Sequence, residues 1–182
     1  MEESKIIKYW PSSDKNPRQS QIQVLNWIES LPPNIKYILT ECPVGSGKSI
    51  SGITASGYLS RSLGNSYVLT PQKILQKQYE DTFAKHIVRS VYGKSNYTCE
   101  PKNTNCDIGN DIKPECLNCP AKDAMTLALS SPNIILNYTL ALLLFKYGDE
   151  RKIKQRKLII FDECHTLESH LTEFDSISIS EM

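Results

Sequence analysis

The sequence has no excess of charge: 21 lysines and arginines stand against 20 aspartates and glutamates. Bulk electrostatics therefore gives no reason to expect a polyanionic partner, and any such contact must come from local patches. It also has no long apolar run. The opening residues Met1-Glu2-Glu3-Ser4-Lys5 carry mixed charge, and neither a signal peptide nor a membrane span is visible. No internal repeat and no low-complexity tract is apparent. These absences make a reducing compartment the expectation, cytoplasmic or, in a eukaryote, nuclear. There, six cysteines do not suggest a disulfide framework, and the four crowded between Cys99 and Cys119 read as metal ligands instead.

What is present is an alternation of short apolar strands with amphipathic helices, the pattern of an α/β fold whose parallel sheet is covered on both faces. With 182 residues, 40% of them apolar, the chain can bury one substantial core. Ile22, Leu25 and Ile28 recur at helical spacing, predicting a helix from about Ser20 to Ser30 that Pro32-Pro33 stops. Strands are predicted at Tyr37 to Thr40, Tyr67 to Thr70, Ile87 to Val91, Ile134 to Asn137 and Leu158 to Phe161, each short and rich in β-branched or aromatic residues. From Gly93 to Pro120 the pattern fails, and Gly, Asn, Pro and Cys dominate. That stretch reads as a lobe held by something other than apolar burial.

The segment Glu41-Cys42-Pro43-Val44-Gly45-Ser46-Gly47-Lys48-Ser49 lies between an apolar strand candidate and a helix-like stretch, the setting of a phosphate-binding loop. Gly45 and Gly47 let backbone N–H groups turn inward around phosphate oxygens, and the following helix adds its positive end. Pro43, Val44, Gly45, Ser46, Gly47, Lys48 and Ser49 are thus the expected cradle, with Lys48 reaching the outer phosphates and Ser49 binding magnesium. Cys42 stands where the strict pattern has its first glycine, and reads as a small packing residue.

A second apolar strand, Lys157 to Phe161, ends in Asp162-Glu163-Cys164-His165. Carboxylates at the C-terminal edge of a parallel sheet stand where open α/β folds bind ligands. Asp162 is expected to hold magnesium, directly or through water, and Glu163 to orient and deprotonate an attacking water. Alone, such a pair could simply cap the next helix; the phosphate loop upstream is what makes it a site. His165 is a surface histidine if isolated, and a candidate for coupling the site to a neighbouring domain beside these acids.

Cys99, Cys106, Cys116 and Cys119 supply four thiolates from one irregular segment, enough for a 4Fe-4S cluster or a tetrahedral zinc ion. Only Cys116-Leu117-Asn118-Cys119 has the Cys-x-x-Cys form, whereas a zinc ribbon usually presents two such knuckles, so the pattern leans toward the cluster. Lys73, Lys77, Lys85, His86, Arg89 and Lys94 could follow a phosphate backbone. The basic run from Lys146 to Lys157 includes Asp149 and Glu150 and reads as a solvated loop. Tyr92 and Tyr97 could stack on bases or could pack.

Together these segments resemble the XPD and DinG group of iron-sulfur superfamily 2 helicases. Pro17-Arg18-Gln19-Ser20-Gln21 looks like the adenine-reading Q motif, Glu41 to Ser49 like motif I, and Leu69-Thr70-Pro71 through Leu75 and Gln78 like motif Ia. Gly93 to Cys99 is similar to the opening of that family's cluster domain, and Ile134 to Leu143 to its return to the motor domain. Asp162-Glu163-Cys164-His165 resembles motif II, with Cys164 where the family usually has alanine. The resemblance implies a RecA-like motor domain in two segments, 1–92 and 121–182, with an iron-sulfur insertion at 93–120. It implies ATP, Mg2+ and a 4Fe-4S cluster as cofactors, with Gln21 reading adenine. Thr70 is placed near the single-strand track, single-stranded or forked DNA is the substrate, and the motor moves 5′ to 3′. The family continues after motif II into an arch and a second RecA-like lobe that carries an arginine finger. Since such a finger is worth orders of magnitude in rate, this stretch alone is expected to hydrolyse ATP poorly. A helicase-like protein that binds nucleotide, DNA or a partner without turnover is the alternative.

Overall fold

The computed structural model describes residues 4–12, 16–99, 103–108, 119–148 and 155–176. Helices α1 (Gln19–Ser30) and α2 (Lys48–Ser60) precede strand β1 (Ser66–Thr70), followed by α3 (Lys73–Thr82) and β2 (Val88–Ser90). A small ribbon of β3 (Thr98–Cys99) and β4 (Thr104–Asn105) comes next, then α4 (Pro120–Leu129), β5 (Asn133–Asn137), α5 (Tyr138–Tyr147), β6 (Leu158–Phe161) and α6 (Leu167–Asp175).

Four strands form one parallel sheet in the order β2-β5-β1-β6. Ser66 to Thr70 lie opposite Asn133 to Asn137 on one side, and Ser66 to Leu69 opposite Leu158 to Phe161 on the other. All five residues of β1 are buried, as a parallel strand requires when helices cover both faces. Alternation then sorts its side chains. Val68 points with Ile135 and Val88 into a core closed by Ile53 of α2 and by Tyr79 and Phe83 on the α3 side. Tyr67 and Leu69 point the other way, with Ile134 and Leu136, into a core closed by Ala128 of α4 and by Tyr138 and Ala141 of α5. Burying each large aliphatic side chain in these layers stabilises by roughly 1.5–3 kcal/mol. Among the described residues no helix is long and apolar enough to cross a membrane.

At the starting edge of the sheet a buried amide organises the turns. Asn133 Oδ1 accepts from the hydroxyls of Ser56 and Ser66 at 2.8 and 2.7 Å. Its Nδ2 donates to the carbonyls of Leu63 and Ile87 at 3.2 and 3.0 Å. Arg156 closes the same end, donating to the carbonyls of Leu129, Ser131 and Pro132.

The sequence expectation fails at Tyr37 to Thr40. This segment is not a strand: Tyr37 is 91% and Leu39 79% exposed. Strand propensity describes a side chain that suits a half-buried pleat, but only a neighbouring backbone makes a strand. Among the described residues the sheet ends at β6 on one side and β2 on the other, and neither edge takes this segment as a further strand. Elsewhere the differences are of length. The helix begins at Gln19 rather than Ser20, and the strand predicted from Ile87 to Val91 shortens to Val88–Ser90.

Candidate functional site

Helix α2 starts at Lys48 because Gly47 ahead of it is left-handed at φ 86°, and Gly45 two residues earlier is left-handed at φ 77°. Glycine takes these angles without steric cost. At Gly47 there is a second requirement, since a Cβ there would collide with the Gln21 carboxamide. The loop closes on itself through Ser46 N–H donating to the Pro43 carbonyl at 3.2 Å. The Ser46 hydroxyl is buried with no hydrogen-bond partner, and Val44 projects into solvent.

The start of α1 is fastened to this loop. Arg18 Nη1 donates to the Gly45 carbonyl at 2.9 Å, and the Arg18 amide donates to Gln21 Oε1 at 2.8 Å. Gln21, expected to read a base, is buried against Gly47. Sequence reading picked Gln21 for this region and passed over Arg18, whose guanidinium reaches the loop only through the tertiary fold.

Across from the loop lies the end of β6. Lys48 Nζ sits 3.4 Å from Glu163 Oε1 and donates to the Cys42 carbonyl at 3.3 Å. Both side chains are about one-third exposed, so this pair contributes at most about 1 kcal/mol to stability; its value is positional. Glu163 itself is left-handed at φ 53°, a conformation that costs a non-glycine residue roughly 1–3 kcal/mol. That turn also places Glu163 Oε2 3.5 Å from Nδ1 of the exposed His165.

Asp162 is held more firmly. Its amide donates to the Leu69 carbonyl at 2.8 Å, its carbonyl accepts from the Tyr138 hydroxyl at 2.7 Å, and its Oδ2 accepts from the Tyr79 hydroxyl at 3.2 Å. Burial pushes its carboxyl above the usual range, and the bond from Tyr79 partly opposes that. Burial likewise raises both phenols, with the Asp162 charge adding to it. Ser49 is the other polar neighbour of the Tyr79 hydroxyl. The structure thus brings Ser49, Lys48, Asp162 and Glu163 to one place. An ammonium and amide-rich loop faces two carboxylates there, a donor set suited to a polyphosphate and a divalent cation.

The thiols form a separate small core. Cys99, Cys106 and Cys119 are all buried, with Ala121 beside them and Tyr97 packed on top. The ribbon brings Cys99 opposite Thr104, and the Cys106 amide donates to the Tyr97 carbonyl at 2.8 Å. Cys119 caps α4 ahead of Pro120, and the Lys122 amide there lowers its thiol below the ordinary value. Burial raises the thiol of Cys106. Cys116 lies outside the described residues. Among the described residues no group of three or more His, Cys, Asp or Glu is arranged to hold a metal ion. The three described thiols share one small core. Tyr97 accepts from the Tyr92 amide at 3.1 Å and Tyr92 donates to Glu80 at 2.9 Å, so Tyr97 packs on the thiols and the Tyr92 hydroxyl is already engaged.

Residues 14–180 match the family described as type III restriction enzyme, res subunit. A search of curated proteins and a search of solved structures each gave no match. The family match runs over nearly the whole chain, and its domain is the ATPase-like N-terminal domain of the helicase superfamily. The chain belongs to this family.

Proposed function

We propose that this chain is the nucleotide-binding first lobe of an ATP-driven DNA helicase of the XPD and DinG type, moving 5′ to 3′ along single-stranded or forked DNA. The observation that carries the reading is the 3.4 Å approach of Lys48 to Glu163, which joins the phosphate loop to the acidic strand end. In this assignment the amides from Gly45 to Ser49 and the Lys48 ammonium bind the phosphates. Ser49 and Asp162 would hold Mg2+, which supplies charge neutralisation at the phosphoryl oxygens. Glu163 orients and deprotonates water, His165 bears on Glu163 from the solvent side, and Gln21 stands where the base would approach.

The cysteines are assigned to a 4Fe-4S cluster, with Cys99, Cys106, Cys116 and Cys119 as its ligands. Supporting this, three of those thiols are buried together in one small cluster, and four cysteines are the usual ligand set. A second reading, nucleotide binding without turnover, draws on the same ion pair, because Lys48 occupies the carboxylate of the residue assigned as base.

Titration with a fluorescent ATP analogue and Mg2+ tests the assignment. Lys48→Ala is expected to weaken binding by at least about tenfold, while Glu163→Gln keeps binding and loses whatever hydrolysis the wild type shows. Unchanged affinity in Lys48→Ala would remove the nucleotide reading. Binding with no hydrolysis, even when DNA and a second RecA-like lobe are added, would favour the second reading.

A further inference from the structure

Asp162 is gripped from both faces of the sheet. Tyr79 belongs to the core closed by α2 and α3, and Tyr138 to the core closed by α4 and α5. Both rings are almost wholly buried, and both hydroxyls end on the same aspartate. Tyr138 reaches the backbone carbonyl at 2.7 Å and Tyr79 reaches carboxylate Oδ2 at 3.2 Å. A phenylalanine would fill either apolar space; Tyr79 even stacks on Phe83, with ring centroids 5.8 Å apart. Packing accounts for the rings; each buried hydroxyl additionally needs a hydrogen-bond partner, and both find it on Asp162.

Resting on the nucleotide reading above, we infer that Tyr79 is a positioning residue for the magnesium carboxylate. By donating to Oδ2 it holds the Asp162 carboxylate at the same hydroxyl that Ser49 meets, which brings together the two side chains assigned to the cation. Tyr138 fixes the backbone from which that side chain springs. The arrangement also ties α3, whose exposed residues include Lys73 and Lys77, to the metal side of the nucleotide site. A shift of α3 would then be felt at Asp162 through a single hydrogen bond.

The test compares nucleotide affinity with Mg2+ and with EDTA for wild type, Tyr79→Phe and Tyr138→Phe, alongside the thermal unfolding of each. Direct Mn2+ binding read by electron paramagnetic resonance provides a readout independent of turnover. If Tyr79 positions the carboxylate, Tyr79→Phe leaves the affinity in EDTA unchanged. It lowers the magnesium-dependent gain by about threefold to tenfold and weakens Mn2+ binding by a similar factor, whatever happens to its melting temperature. A lower melting temperature with an unaltered ratio of the two affinities makes the hydroxyl merely structural and overturns the inference. Wild type that shows no magnesium-dependent gain at all overturns the nucleotide reading itself, an outcome distinct from a silent Tyr79→Phe.

Discussion

Asn133 uses all of its amide capacity at one buried point, accepting twice and donating twice. Removing its side chain takes away the acceptor of the Ser66 hydroxyl and the donor to the Leu63 carbonyl. The Ile87 carbonyl keeps the Asn133 backbone amide, and the Ser56 hydroxyl keeps the Asn65 amide. Asn133→Ala is expected to cost about 3 kcal/mol or more, read as a lower denaturation midpoint at unchanged slope. The neighbouring Gly64 is left-handed at φ 139°, and a Cβ there would run into that same amide. Gly64→Ala should destabilise to a similar degree, whereas alanine at Gly45, where a Cβ meets open space, should cost only the backbone strain. At this scale the sequence was legible wherever chemistry repeats as a local pattern. Lys48, Ser49, Asp162 and Glu163 stand out from spacing alone. Tyr79, Tyr138 and Arg18 do not, because what each hydroxyl or guanidinium bonds to is chosen by residues 24 to 83 positions away in the chain.

One carboxylate of α1 gathers three hydrogen bonds from the N-terminal segment. Glu29 accepts from the Ser4 hydroxyl at 2.9 Å and from the amides of Lys5 and Ile6, each at 3.2 Å. Burial works against its charge, but these bonds outweigh it and hold its pKa below the usual 4.5. A depressed carboxyl stabilises the fold above the unfolded-state value, and that stability is lost as pH falls through the lower folded value. Glu29→Gln should therefore reduce stability at neutral pH and flatten the acid limb below about pH 4.5, as an acid titration of the melting temperature would show. Helix and strand assignments from the sequence succeeded for buried elements such as Ser66–Thr70 and Asn133–Asn137, where an apolar run coincides with two flanking partners. They failed at Tyr37 to Thr40, whose composition is as strand-like as theirs. The edge strand β6, with Ile159 and Phe161 about two-fifths exposed, takes no such partner from that segment. Pairing is a property of two segments, and propensity is a property of one.

For the molecule as a whole, the two proposed centres can be separated by experiment. Protein prepared without oxygen should be brown and carry about four iron atoms per chain. Replacing Cys99, Cys106 or Cys119 by serine should abolish the iron while leaving magnesium-dependent nucleotide binding within about twofold, because the thiol core shares no residue with the phosphate loop. Zinc at one per chain and no iron would instead support the tetrahedral alternative. Binding to single-stranded DNA should weaken as salt rises, since a chain with a formal charge of only +1 must depend on local lysine contacts to phosphate.

The sequence by itself determined that the chain would be α/β, which loop would bear the glycines and lysine, and which strand would end in acids. These are statements about short windows, where spacing and side-chain chemistry carry the information. The tertiary structure alone decided that loop and acids meet, that two tyrosines from opposite faces grip Asp162, that three thiols share a core, and that one strand-like segment goes unpaired. Each of those depends on which distant backbone lies alongside, and that is set by packing of the whole sheet and its helices rather than by any window of residues.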